Sequence, residues 1–423
     1  MQRPSPWLLL VVLLLGIVLL REARLAQAEE VFLRWLLQHS QSSNAPPVPL
    51  TVVEIGRDPL MDPKSAQEAA VPPPQQSGSG AAISPLEFAL FLQSVLDFQP
   101  SVIAFENILK WRERDKDQEQ VFLDQAMRVP KLLLASELSG TVDPDAPWGD
   151  IRGFPQVSGK RGDLAAFSGI GRQPTEDLRL VSTGGFVNLP DEGNSGIRVP
   201  MLFLYRGEVV PSFTLQAILL WLGVTPAEVK IEIGSHILLP QNRKIPIDRE
   251  GTLLVDPTAL NHARRMTLNE LLLAAQQRDT GKGAPSEGGA IRNHVVLARA
   301  PANPLSPPDL FAAAIATIQG NRYLRRITPV FDCVVLLLVA ACFRTFRKVK
   351  QVDLVLSGIA FTAAYCLVAL GILSRWHLWL PGVLPLSAVW IFILAALLFP
   401  HKDDDARAAA TASPPPVADE RST

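Results

Sequence analysis

Residues 1–332 contain no cysteine; the three thiols of the chain, Cys333, Cys342 and Cys366, fall in apolar runs near the C-terminus. Disulfides, CxxC zinc sites and a cysteine nucleophile are therefore excluded from most of the chain. Histidine is scarce too, at 6 residues, and His236, His262 and His294 follow no HExxH or similar ligand spacing. No serine sits in a Gly-x-Ser-x-Gly elbow. Ser168-Gly169-Ile170-Gly171 is half a dinucleotide fingerprint, but it follows no clear strand and lacks the third glycine. No catalytic residue, cofactor or metal site is expected, and the chain reads as a non-enzyme. Charge is sparse at 19% of residues, and 40 basic against 41 acidic side chains give no basis for a nucleic-acid partner.

Apolar residues are abundant instead, at 48%, and they come in runs. Trp7–Leu20 is unbroken between Arg3 and Arg21, a length suited to a signal segment. We read it as an uncleaved signal anchor; cleavage at Ala26-Gln27-Ala28 is the alternative, and both versions export the long segment C-terminal to it. Ile327–Phe343, Leu354–Ser374 and Leu378–Phe399 are each long enough, or nearly so, to span a bilayer. Arg344, Arg347, Lys348 and Lys350 between the second and third spans mark that loop as cytoplasmic. The expected order is a tail and anchor at 1–20, an exported domain at 21–326, spans at 327–343, 354–374 and 378–399, a basic cytoplasmic loop at 344–353, and a disordered cytoplasmic tail at 400–423. Asp332, near the outer end of the second span, is expected to be solvated. Pro381 and Pro385 are expected to kink the outer end of the fourth span.

Inside the exported segment, Leu50–Ile55 is a β-branched run that should form a buried strand. Ser84-Pro85-Leu86-Glu87 combines an N-cap, an N1 proline and an acid at N3, and so starts a helix. Ser101–Phe105 and Lys131–Ala135 read as further strands around a helix at Gln118–Arg128. This β-α-β-α-β order implies a parallel sheet with right-handed crossovers. Residues 140–184 read as a long loop or insertion. Gly185–Leu189 and Arg198–Tyr205 read as strands, Pro211–Leu222 as a buried helix, Thr267–Gln277 as a helix, Asn293–Leu297 as a core strand and Asp309–Ile318 as a final helix. The predicted fold class is α/β: one exported domain with a mixed, largely parallel sheet and helices on its faces, plus four transmembrane helices, one N-terminal and three C-terminal.

Several short motifs, in this order and with this span pattern, resemble the second class of CHASE domains, the sensory extracellular domains associated with cyclases and histidine kinases. They are Val52-Val53-Glu54-Ile55-Gly56-Arg57-Asp58, Val102-Ile103-Ala104-Phe105-Glu106, Arg198-Val199-Pro200-Met201-Leu202, Pro211-Ser212-Phe213 and Ile245-Pro246-Ile247-Asp248-Arg249-Glu250-Gly251. Relatives place the first acid directly after an isoleucine, whereas here Gly56 follows Ile55 and the acid stands at Asp58. The family's late glycine- and aspartate-containing loop is replaced by Ala298–Pro308. The resemblance implies a bacterial inner-membrane sensor with a periplasmic or extracellular domain; relatives commonly carry a C-terminal output domain, which is not expected here.

In an open parallel sheet, ligands bind beyond the carboxyl ends of the strands. If the first two strands are neighbours, Glu54, Arg57, Asp58, Glu106 and Asn107 gather at that edge as candidate ligand-binding residues, suited to a polar or cationic ligand. The alternative for the same residues is a solvated loop edge. The expected function is detection of an extracytoplasmic signal and its relay across the membrane. The expected partners are the membrane, an unidentified ligand and a separate signalling protein, with a homo-oligomer left open. The rival reading is an envelope scaffold or protein-interaction module without a small ligand.

Overall fold

The computed structural model describes residues 23–40, 46–55, 84–111, 116–141, 152–189, 197–280, 291–299, 309–327, 329–346 and 351–398. The chain divides into two compact units, Gln41–Leu324 and Met1–Ser40 with Arg325–Thr423.

The first unit is built on six parallel strands: β1 (Leu50–Glu54), β2 (Val102–Phe105), β3 (Leu132–Ser136), β4 (Thr183–Phe186), β5 (Arg264–Thr267) and β6 (Val295–Arg299). Their order across the sheet is β5-β1-β6-β2-β3-β4. Strands covered on both faces must be apolar along their whole length, and β1, β2, β3 and β6 are near-continuous runs of Val, Ile, Leu, Ala and Phe. One face carries α1 (Pro85–Leu96), α2 (Lys116–Ala126) and α4 (Leu268–Asp279), and the other carries α3 (Phe213–Leu222) and α5 (Leu310–Gln319).

The helix ends follow local chemistry. Ser84 caps α1 by accepting from the Leu86 amide, with Pro85 at N1. Phe88, Phe91, Leu92 and Val95 then face Ile103, Phe105 and Leu134 of the sheet. Thr267 and Glu270 form a capping box on α4. α3 does not open on Pro211, as the sequence suggested: Pro211 ends the strand Glu208–Pro211, and Ser212 is the N-cap. Its last turn closes at Gly223, whose φ of +68° suits the left-handed stop.

Three further expectations are corrected. Arg198–Tyr205 is two strands, Arg198–Pro200 paired with Thr252–Leu254, and Leu202–Tyr205 paired with Glu208–Pro211 and Ala166–Phe167. Residues 152–184 are not bare loop: Gln156–Ser158 is the edge of a four-stranded sheet with residues 230–246, Gly169–Ile170 pairs with Leu138–Ser139, and Glu176–Leu180 is a short helix. These pieces are too short to leave a periodic signal. Most consequentially, β1 and β2 are not neighbours, because β6 lies between them. Val295–Ala298 is apolar on both faces, Val295 and Leu297 on one and Val296 and Ala298 on the other, and a central place in the sheet covers both with helices.

The second unit holds the helices Ala23–His39, Pro329–Phe346, Gln351–Trp376 and Val383–Leu398, with a two-residue pairing of Arg325–Arg326 against Leu378–Trp379. Among the described residues one stretch, Val352–Trp376, is long and apolar enough to cross a membrane, against the four expected. The expected N-terminal span lies outside the described residues. The last helix begins only at Val383, so Pro381 precedes it and Pro385 sits in its first turn, where no intrahelical donor is lost; neither kinks it. Its N-terminus is capped from afar, since Glu29 accepts from the amides of Gly382 and Val383 at 3.0 and 2.9 Å. Asp332 is not solvated but fully buried, with Arg326 Nη2 at 3.3 Å from its carboxylate. Arg326 also lies over the Trp379 ring.

Gly185 of β4 marks the closest approach of sheet and α3, for a Cβ there would lie 2.9 Å from Phe213 Cα. Gly185→Val is therefore expected to destabilise the first unit by roughly 1–3 kcal/mol, as overpacking does, read as a lowered urea midpoint in the full chain.

Candidate functional site

Three adjacent strands end in charge or lead directly into it. β1 closes with Glu54, β6 closes with Arg299, and Glu106 follows β2. They are stitched together at this edge: Glu54 is level with Arg299 in the register, the Ile55 amide donates to the Arg299 carbonyl at 2.8 Å, and the Glu106 amide donates to the Ala298 carbonyl at 3.4 Å. β1 and β2 lead on to α1 and α2 on one face, whereas β6 leads to α5 on the other. The divergence about β6 makes this edge a topological switch point, the position where doubly wound sheets bind ligands.

Glu106 is 1% exposed. Arg299 Nε lies 3.3 Å from its Oε1, and the same guanidinium donates through Nη1 to Asp309, the residue before α5. Asp309 is held on its other oxygen by Arg265 Nη2 of β5 at 3.2 Å. Its carboxylate makes no capping bond to α5, and its backbone has φ +68°, a region that few non-glycine residues occupy. Burial pushes the Glu106 carboxyl up from its ordinary 4.5 to about 7; the Arg299 charge opposes this and the Asp309 charge adds to it. The cluster therefore holds a proton or releases it near neutrality, with one arginine shared between two acids.

The five residues expected at this edge meet different fates. Glu106 and Asn107 are buried, and Glu54 is half-buried at the end of β1. Arg57 and Asp58 lie outside the described residues. Glu54 and Glu106 are separated by the full width of β6, so the expected adjacency of the first two strands is replaced by a carboxylate on either side of an arginine. Arg299, Asp309 and Arg265 were missed. A signal existed for Arg299, which ends the run Val295–Ala298 as Glu54 ends its own, but ending the strand at Leu297 hid it.

The other motifs form scaffold. Asp248 Oδ1 accepts from the amides of Glu250 and Thr252 at 3.0 and 2.8 Å, and Oδ2 pairs with Arg198 Nη1 at 2.6 Å. Gly251 has φ +71°, and a Cβ there would lie 2.6 Å from Leu164 Cδ2. The arginine-proline strand and the isoleucine-proline turn are thus two halves of one joint. Among the histidines, His294 Nδ1 meets the Thr51 hydroxyl at 3.0 Å and His236 Nδ1 meets Ser235.

The model of the CHASE2 domain family matches residues 10–320, more than half of the chain, and the chain belongs to this family of extracellular sensory domains. No curated protein and no solved structure matches it.

The raised Glu106 carboxyl carries a stability signature. The folded state holds this proton more tightly than the unfolded chain does, so the contribution is complete below pH 4.5, declines through the interval up to about 7 and is lost above it. The difference amounts to roughly 3 kcal/mol. Glu106→Gln is expected to remove this decline, so that chemical denaturation at pH 5 and pH 8 gives more nearly equal midpoints than in the unmodified chain.

Proposed function

We propose that this protein is a membrane-anchored extracytoplasmic sensor. Its α/β unit perceives a signal at the charged carboxyl edge around β6 and relays it through membrane helices to a separate signalling protein. The observation that carries this reading is the charged cluster of Glu106, Arg299 and Asp309 at the switch point of a CHASE2 domain. Glu54 and Asn107 belong to the same edge, and Arg57 and Asp58 come after β1 in sequence.

Membrane anchoring is supported by the apolar span Val352–Trp376 and by the outward side chains of the helical unit, among them Leu338, Leu356, Leu367 and Ile391, each more than half exposed. A surface of this kind needs lipid or another apolar partner to cover it. We take the anchor to be four helices in a bacterial inner membrane, with the α/β unit periplasmic and both termini cytoplasmic. The basic loop at 344–353 then faces the cytoplasm, where it offers a docking surface to the signalling partner.

Two measurements test this. Alkaline phosphatase, which is active only outside the cytoplasm, is expected to be active when fused after Leu324 and inactive when fused after Lys350; the reverse pattern overturns the topology. Thermal unfolding of the full chain in nanodiscs, against metabolites, envelope fragments and metal ions, is expected to give a concentration-dependent rise. A ligand at a hundred times its Kd stabilises by about 2.7 kcal/mol. The rise should be weakened in Glu106→Ala, which removes the buried acid that positions Arg299 at this edge. A folded chain that answers to nothing, yet co-purifies stoichiometrically with an envelope protein, would favour the scaffold reading.

A further inference from the structure

Glu106 is 1% exposed, and its carboxylate lies with Arg299 and Asp309 at the end of the sheet where α5 begins. The charged groups that face it are Arg299 at the end of β6 and Asp309 at the start of α5. Arg265 of β5 meets Asp309 from the far side, and Glu54 of β1 is level with Arg299 in the register. A ligand acting on this carboxylate without unfolding the sheet edge must be very small.

We propose that the proton is a signal this domain detects: uptake or release of one proton on Glu106 redistributes Arg299 between Glu106 and Asp309, and so resets the start of α5. This rests on the sensory reading above and names the ligand for it. With Glu106 ionised, Arg299 is divided between two carboxylates. With Glu106 neutral, the guanidinium belongs to Asp309 alone. Asp309 is the lever because its side chain is held by two arginines and not by α5: it stands at φ +68°, makes no side-chain cap, and shares its carboxylate between Arg265 and Arg299. α5 is buried along its whole length from Leu310 to Gln319, so a shift at its first turn is passed on by close packing rather than absorbed at a surface. It is also the last helix of the unit before the chain passes at Arg325 into the helical unit. Burial raises the Glu106 carboxyl to about 7, where changes in external pH act on it.

The test is amide hydrogen exchange of residues 309–319 in the full chain in nanodiscs, across pH 5 to 9, corrected for the intrinsic rate. One transition with a midpoint near 7 is expected in the unmodified chain. Glu106→Gln should hold α5 in its low-pH pattern throughout. Arg299→Gln should abolish the response of α5 while moving the titration of Glu106, followed by the pH dependence of the melting temperature, to higher pH. Asp309→Asn, a milder change at a partly exposed position, should lower the midpoint. An α5 whose corrected exchange is flat with pH overturns the proposal, as does a transition that keeps its midpoint in Glu106→Gln or Asp309→Asn. A metabolite that stabilises the unmodified chain and Glu106→Gln equally, with α5 silent to pH, sinks the proton reading and keeps the sensor. A folded chain that answers to neither sinks both.

Discussion

Everything charged at the carboxyl edge of this sheet depends on the insertion of β6 between β1 and β2. Both neighbours come from the first part of the unit and end in, or run into, a carboxylate; the inserted strand comes from its last part and ends in an arginine. The alternation of acid, base and acid is therefore a product of topology. A sheet in simple chain order would have set Glu54 beside Glu106 with no guanidinium between them. The same insertion sends the chain from β6 to the opposite face from its neighbours and so makes this edge the switch point of the sheet.

The two ion-paired joints of the unit illustrate how hydrogen bonding decides whether a carboxylate is scaffold or switch. Asp248 has two amides, a hydroxyl and Arg198 around it, so both of its oxygens are engaged. Glu106 has a guanidinium that it must share with Asp309, and burial dominates. The first arrangement locks the turn Ile245–Gly251 to Arg198. The second leaves the charge state balanced near neutrality.

Much of the fold was legible, because strands buried on two faces are apolar from end to end and helix starts carry local chemistry. Leu50–Glu54, Val102–Phe105 and Leu132–Ser136 were found within a residue or two, as was the capped start of α1 at Ser84. Strand order was not legible, since no residue of β1 or β2 announces which parallel neighbour it will take. Half of the site was lost with it: Glu106 was found from the acid after its strand, whereas Arg299 and Asp309 acquire meaning only once β6 is seen between its neighbours. Asp332 was misjudged for a related reason. Its distance from the end of an apolar run suggested water, but Arg326, six residues earlier, folds back to cover it.

The cap that Glu29 places on the helix Val383–Leu398 joins residues 353 positions apart. A ribosome making this chain delivers the acceptor first and the donors last, with the whole α/β unit synthesised in between. The helix Ala23–His39 therefore cannot complete its packing until Val383–Leu398 has been made, and its buried carboxylate must wait, solvated or protonated, for that helix to arrive. Assembly of the helical unit is a closing step that follows synthesis of the α/β unit, and loops this long close slowly. Any factor that attends the maturation of this protein would find its substrate in that interval, with the first helix and the last still apart.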